Sequence, residues 1–406
     1  MDLTHDVTPP ASALARYAIG GVAPRIAYVP ETSADAEAAV REAAAQQQSL
    51  VPWGGGIGLS RGVAPPRYDA VLDLSRLRRI VTFEPDDFTI RAEVGITVQD
   101  LRDTLAEHRE ELPLEAAEAW GATLGGLLSA NASGPRRLMF GGARDRLIGA
   151  RFVTGAGGSV QTGGRVVKNV AGYGTHRLLC GARGALAVLL EASLKLLPQP
   201  LARTALVQGC DEAMLKDPAR WVDFPRREPA VLTVLGRALA APNPVLACDA
   251  AFTVVTGFEE APAWVDACAA FTRESLGAPR LKLQGTSALQ LWQVLCDAEE
   301  MPGPRLTFTS AHKTPAAIAP LAGRAIAERL LFHAPAGRLH VWPAAAEAAA
   351  LASELAGHGF VLREARGVEV ALPEAPPTVR ALRSRIRLAL DPGGVFAYDA
   401  RWEAGR

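Results

Sequence analysis

The sequence has no surplus of charge, no clustered cysteines and no long apolar run. Its 43 Lys plus Arg residues equal its 43 Asp plus Glu residues. Without a basic field, neither nucleic acid nor an acidic membrane surface is indicated as a partner. The five cysteines, at 180, 210, 248, 268 and 296, form no C-x-x-C pair. That spacing encodes neither a zinc ribbon nor an iron–sulfur site on this chain, and free thiols point to a reducing compartment. No apolar run is long enough to span a bilayer. The start, Met1-Asp2-Leu3-Thr4-His5-Asp6, has neither a basic stretch nor an apolar core. No secretory signal is therefore expected, and a cytoplasmic location is. No G-x-G-x-x-G opens a helix with an acidic residue at the offset that a nicotinamide dinucleotide site needs.

Glycine is what the sequence concentrates. Val51-Pro52-Trp53-Gly54-Gly55-Gly56-Ile57-Gly58-Leu59-Ser60-Arg61-Gly62 follows the short apolar run Ser49-Leu50-Val51. Three glycines in a row leave one side of the backbone without Cβ atoms. Main-chain N–H groups can then converge on an anion. A pyrophosphate loop and a structural tight turn both remain open from these residues alone.

The flanking chain supports an α/β unit. Ile26 to Val29 reads as a strand, Thr32 with Asp35 as a capping box, and Ala36, Ala39, Val40, Ala43 and Ala44 as one face of a helix. The glycine loop then sits at the carboxyl end of the second strand, where such units place phosphate ligands. Val71 to Leu74 is a further strand, and residues 79–83 and 88–94 flank a turn as a hairpin. Thr97 with Asp100 caps another helix. Trp120 to Arg137 is rich in Gly, Ala and Ser, and the expected helix there offers free N–H groups near Gly125-Gly126. Close helix packing explains such small residues equally well. Residues 150–162 form a second hairpin about Gly155-Ala156-Gly157-Gly158. In 187–196 the alternation puts Glu191, Ser193 and Lys195 on a wet face. After Ala202 the glycine clusters stop, and strands at 231–235, 251–256, 305–309 and 338–342 alternate with alanine-rich helices. A last helix spans Thr378 to Leu390. With 406 residues, two or three domains are expected.

Six motifs occur in order: Pro-x-Gly-Gly-Gly, Ala-Thr-x-Gly-Gly, Ser-Gly-Pro-Arg-Arg, Arg-Asp-x-x-x-Gly, Val-x-Lys-Asn-Val-Ala-Gly-Tyr and Gly-x-x-Gly-x-Leu-x-Val. The set resembles the FAD-binding domain of the vanillyl-alcohol-oxidase and p-cresol-methylhydroxylase (PCMH) superfamily. Residues 133–137 and 167–173 are most similar to the FAD-binding E subunits of bacterial glycolate oxidases. The resemblance covers residues 25 to 200 and the Asp391-Pro392-Gly393-Gly394-Val395-Phe396 tail. It implies an α+β fold: a two-lobed PCMH-type FAD-binding domain at 1–201, an α+β cap domain at 202–372, and a C-terminal segment, 373–406, returning to the FAD domain.

By the same resemblance the pyrophosphate falls to Gly54, Gly55, Gly56, Ile57 and Gly58, flanked by Pro52, Trp53 and Leu59. Thr123, Gly125 and Gly126 join them, with Gly121 and Ala122 just before. Ala130, Ser133 and Gly134 would lie near the flavin and ribityl chain, and Asp145 belongs to the same set. Gly184, Leu186 and Val188 would flank the adenine end through backbone atoms. Ile57 stands where a Ser or Thr is usual, and Trp53 where Arg is frequent. With no His or Cys in the loop, non-covalent FAD is expected.

The resemblance implies two alternatives. In one, the chain oxidises glycolate or a related 2-hydroxy acid and passes electrons to an iron–sulfur partner subunit and quinone. In the other it is a structural or electron-relay flavin subunit, with catalysis in a companion FAD-binding chain. Peripheral membrane attachment would come through the partner subunits. The companion chain and related D-lactate dehydrogenases carry paired His and a carboxylate that bind a metal in the cap. Here His312, His333, His340 and His358 read as isolated, so no metal site and no catalytic residue is assigned. His312-Lys313 reads as a solvated loop before an anion contact, and Cys180 as a small buried thiol. Arg136, Arg137 and Arg144 either neutralise flavin or substrate charge or pair with acids such as Asp145.

Overall fold

The structure is a computed structural model that describes residues 14–57, 68–115, 117, 121–164 and 174–396. Gly58, Leu59 and the 167–173 motif lie outside the described residues. The chain divides into two compact units. One comprises Met1–Ala132, Gly142–Gln199 and Ala375–Arg406; the other comprises Ser133–Gly141 and Pro200–Glu374.

The first unit opens with β1 (Ile26–Tyr28), α1 (Ser33–Ala45), β2 (Leu50–Trp53) and β3 (Ala70–Asp73). The capping box of α1 closes reciprocally. Thr32 Oγ1 accepts from the Asp35 N–H at 3.2 Å, and the Asp35 carboxylate accepts from the Thr32 N–H at 2.9 Å. Ala36, Ala39, Val40 and Ala43 are buried beneath it. The strands pair in parallel in the order β1-β3-β2, so the glycine loop leaves the carboxyl end of an edge strand.

A second, antiparallel sheet follows. Its strands are β4 (Ile80–Glu84), β5 (Thr89–Glu93), β6 (Leu147–Thr154), β7 (Ser159–Gly163) and β8 (Ala187–Lys195), in the order β4-β5-β8-β6-β7. Both expected hairpins, β4–β5 and β6–β7, are present. Between them lie α2 (Val98–Glu107), capped by Thr97 Oγ1 at 3.0 Å from the Asp100 N–H, and α3 (Leu124–Ala130). The wet face expected for β8 is corrected: Glu191 and Ser193 are buried. As the central strand, β8 is covered on both faces, and Glu191 is paired with Arg91 at 2.6 Å and Arg151 at 3.3 Å.

The second unit is built on one eight-stranded antiparallel sheet. In chain order its elements are β9 (Ala202–Cys210), β10 (Val231–Gly236), β11 (Phe252–Glu260), α4 (Pro262–Leu276), β12 (Leu281–Gln284), α5 (Thr286–Ala298), β13 (Arg305–Ser310), β14 (Leu330–His333), β15 (Arg338–Val341), α6 (Ala348–Gly357) and β16 (Phe360–Arg366). The strand order is β12-β9-β11-β10-β14-β15-β13-β16. Four of these strands had no separate sequence signal, because short apolar runs do not declare their period. Side-chain alternation gives the sheet a core on each face. One holds Trp221, Phe308 and Phe332; the other holds Trp292, Leu331 and Trp342.

The chain then forms α7 (Pro377–Leu390) and rejoins the first unit. The Asp391 carboxylate accepts from the N–H groups of Val395 and Phe396 at 2.9 and 3.1 Å. The Leu50 N–H donates to the Val395 carbonyl at 2.8 Å, and Phe396 is fully buried.

Candidate functional site

In the first unit, the glycine loop lies against residues 121–123 with no room for side chains. A Cβ on Gly54 would be 2.2 Å from Thr123 Oγ1, and one on Gly55 would be 1.8 Å from the Gly121 carbonyl oxygen. Gly56 has φ +77°, and a Cβ there would be 2.8 Å from the Trp53 ring. Trp53 itself stacks edge-on to Tyr17 at 5.0 Å. Gly184, at φ +78°, packs on Pro52. Among the described residues, the N–H groups of Gly54, Gly55, Gly56 and Ile57 meet no protein acceptor. The Ile57 side chain packs on the apolar core, so its backbone alone faces the loop's task.

The first turn of α3 behaves differently from expectation. Its N–H groups are not free: Leu124 donates to the Ile96 carbonyl at 2.9 Å and Gly125 to the Val94 carbonyl at 2.8 Å. The Gly126 N–H donates to Thr123 Oγ1 at 3.2 Å. Gly125 is a packing glycine, since a Cβ would lie 2.9 Å from Val94 Cβ. The anion-binding N-terminus read from these glycines is therefore corrected: a short helix seated on a β-turn gives its first donors to that turn.

Other expected site residues have structural partners. The Ala122 carbonyl accepts from Val98 at 2.8 Å, and Ala130 ends α3. The Asp145 carboxylate accepts from the Gly142 N–H at 2.8 Å. The side chains of Leu186 and Val188 are in the core, leaving backbone atoms alone for any ligand. Ser133 and Gly134 belong to the second unit. Ser133 Oγ accepts from Arg137 Nη1 at 2.7 Å. Arg136 does not face an open site: its Nη1 donates to both oxygens of the fully buried Glu259 at 3.0 and 3.2 Å. Its guanidinium stacks between Phe140 and Trp292 at 5.4 and 5.1 Å. Cys180 is half-buried, and burial pushes its thiol up to about 11.

The second unit brings together residues that the sequence reading kept apart. His333 ends β14 and His340 lies in β15, and pairing of His333 with Arg338 puts both imidazoles on one sheet face. Glu299, at the end of α5, meets them. His333 Nε2 is 3.1 Å from Glu299 Oε1, and His340 Nε2 is 3.4 Å from Oε2. Each far nitrogen is held by a threonine: His333 Nδ1 by Thr233 Oγ1 at 2.8 Å, His340 Nδ1 by Thr307 Oγ1 at 3.0 Å. The view of His333 and His340 as isolated is corrected. The missed signal was a tight turn, 334–337, between two short strands. It makes residues seven apart diagonal neighbours on one face.

Arg338 completes the group. Its Nη2 is 3.5 Å from Glu299 Oε2, and its Nη1 donates to the Ser133 carbonyl at 3.0 Å. Burial alone would push the Glu299 carboxyl up, but Arg338 above all, with the hydrogen bond from His333, outweighs it and holds it well below the usual range. Burial holds His340 well below its ordinary value, so its ring is neutral and Arg338 is the cation acting on Glu299.

The three donor atoms lie within 4.8 Å of one another, and two imidazoles with a carboxylate are a donor set that divalent zinc accepts. The charge count does not suit such an ion. Glu299 is the one carboxylate of the cluster and already faces a guanidinium. His312, by contrast, lies in a loop with its N–H on Ser310 Oγ, and His358 caps α6.

Residues 24–164 match the family model described as "FAD binding domain". This part of the chain is an FAD-binding domain. Among curated proteins, the chain is 41% identical over 137 residues to "Glycolate oxidase subunit GlcE" of Escherichia coli, covering 33% of this chain and 39% of that protein. It is 31% identical over 172 residues to a D-2-hydroxyglutarate dehydrogenase of Xanthomonas citri pv. viticola, covering 42% of this chain and 36% of that one. It is 31% identical over 190 residues to a D-lactate dehydrogenase of Archaeoglobus fulgidus, covering 46% and 42%. The FAD-binding chain thus spans less than half the length of each of these relatives. Among solved structures, an alkyldihydroxyacetonephosphate synthase superposes with a TM-score of 0.66 over 93% of this chain and 76% of that one. At 18% identity that likeness is one of fold. Among the described residues no helix is long and apolar enough to cross a membrane.

Proposed function

We propose that this chain is the FAD-binding subunit of a complex that oxidises glycolate or a related small 2-hydroxy acid to the 2-oxo acid. Electrons pass from FAD to an iron–sulfur partner subunit and quinone. The observation that carries the reading is the run of amides from Gly54 to Ile57 that meet no acceptor among the described residues, on a loop closed to side chains by Gly121 and Thr123. Such a run suits a pyrophosphate and supports the FAD that the family match indicates; with no His or Cys in the loop, the FAD is read as non-covalent. When bound, FAD supplies the acceptor for a hydride from the substrate carbon. The residues' own work is to bind and orient. Gly54, Gly55, Gly56 and Ile57 would hold the pyrophosphate; Gly58 and Leu59, proposed with them, lie outside the described residues. Thr123 fixes Gly54 from below, and Gly184 holds Pro52.

A specific observation favours the relay reading for this subunit. His333, His340 and Glu299 are each buried, and Arg338 is engaged at both ends. No basic group of the second unit's cluster is open to a substrate hydroxyl. Catalysis would then rest with a companion FAD-binding chain, and this chain would bind flavin and carry electrons.

Anaerobic titration of the FAD-loaded chain with glycolate separates the two. Bleaching of the flavin by the chain alone assigns it a substrate site. Bleaching only with its partners present assigns the relay role. A purified chain that binds no added FAD overturns both.

A further inference from the structure

We propose that Arg338 is the resident cation of the Glu299–His333–His340 cluster, and that the cluster is complete without a metal ion. A divalent ion in a buried site is balanced by carboxylates or by a bound anion. Here the single carboxylate already meets Arg338 Nη2 at 3.5 Å, on the oxygen that His340 Nε2 approaches at 3.4 Å. The neighbouring acids are taken: Glu300 and Glu364 pair with Arg305 at 3.3 and 3.1 Å, and Glu300 with Arg366 at 3.1 Å. Two further positive charges would have no counter-anion in the cluster. They would sit among side chains of which Glu299 is 7%, His333 1% and His340 0% exposed. Buried charge without a partner is strongly disfavoured.

The donor side is largely met by the protein itself. Thr233 and Thr307 hydroxyls sit on the Nδ1 atoms, His333 Nε2 hydrogen-bonds Glu299 Oε1 at 3.1 Å, and His340 Nε2, which makes no hydrogen bond among the described residues, faces Oε2 at 3.4 Å. The carboxylate is then surrounded by two imidazoles and a guanidinium. The same guanidinium does something that an ion would not. Through Nη1 it fastens the Ser133 carbonyl, and with it the start of the Ser133–Gly141 segment, to β15. Arg338 is thus a positioning residue that couples the histidine cluster to that segment.

The test uses the full-length protein incubated with Co2+ and freed of excess, then assayed for bound metal and for the visible absorption that reports cobalt coordination. The wild type is expected to hold no stoichiometric Co2+. Arg338→Met, which removes the charge and keeps the bulk, is expected to bind one Co2+ per chain, about a hundredfold tighter than wild type. Adding His340→Ala should abolish that binding. Wild-type protein that holds one Co2+ per chain with visible bands overturns the proposal, and so does a folded Arg338→Met variant that takes none. Should Arg338→Met not fold, Arg338→Gln replaces it under the same criteria, and the wild-type measurement stands by itself. Flavin content plays no part in the readout, so failure here leaves the FAD reading intact.

Discussion

A methyl group on Gly55 would lie 1.8 Å from the Gly121 carbonyl oxygen, a distance that no relaxation of a side chain can relieve. Gly55→Ala is therefore expected to displace the loop and weaken FAD binding by at least about tenfold, or about 1.4 kcal/mol. Fluorescence titration of FAD measures it, and undiminished affinity would remove the loop from the site. The pair Arg136–Glu259 is the second decisive contact at this scale. Both side chains are buried, so Glu259→Ala strands a guanidinium between two aromatic rings. A loss of about 3–5 kcal/mol is expected in urea unfolding of the second unit. The double change Arg136→Met with Glu259→Met should cost clearly less than the sum of the two single changes, because it no longer strands the Arg136 charge; Arg203, 3.6 Å from Glu259, still loses a partner.

Among the elements, α3 and α7 show what a sequence can and cannot announce. Thr123 was legible as a candidate site residue, and the structure shows it as a cap: its hydroxyl serves the Gly126 N–H and abuts Gly54. Thr123→Ala should cost about 1 kcal/mol of stability in the first unit, read by chemical denaturation. The glycines after it were legible as glycines only. Whether they free an anion site or admit a neighbour depends on Val94, a residue of another element. The same holds for Glu191, whose place on β8 is set by the strands on either side and not by its own alternation. Local pairs such as Thr32 with Asp35 and Thr97 with Asp100 were fully legible, since both partners lie within one turn. His333 and His340 were not, because their meeting requires the register of β14 on β15 and a carboxylate from α5. The helix α7 has no buried residue, and its Leu382 and Leu388 are 54% and 67% exposed. Leu388→Gln should leave stability within about 0.5 kcal/mol and reduce self-association of the isolated chain, measured by light scattering.

At the scale of the molecule, two compact units, each with its own core residues, predict two separable responses. FAD at about a hundred times its dissociation constant should stabilise the first unit by about 2.7 kcal/mol and leave the second unit's transition in place. Calorimetry with and without FAD reads this, and equal shifts of both transitions would count against it. The second unit should instead respond to acid. His340 is held below the ordinary histidine value, so the unfolded chain takes up a proton that the folded chain refuses. Its contribution is full above about pH 6.5 and is lost as pH falls below that value. Glu299, held below its ordinary value, adds a further loss once the pH drops below about 4. His340→Gln should flatten the first part of that slope in denaturation at pH 7.5, 6 and 5.

The bridge from Leu50 to residues 395 and 396 has a consequence for biosynthesis. The edge of β2, beside the glycine loop, is covered by residues made only after the whole second unit. On a ribosome the FAD domain is translated first and completed last. Its edge strand stays uncovered through most of elongation, while the inserted unit can reach its own sheet earlier. A nascent chain arrested before residue 391 is therefore expected to hold a protease-resistant second unit and no flavin-competent first one.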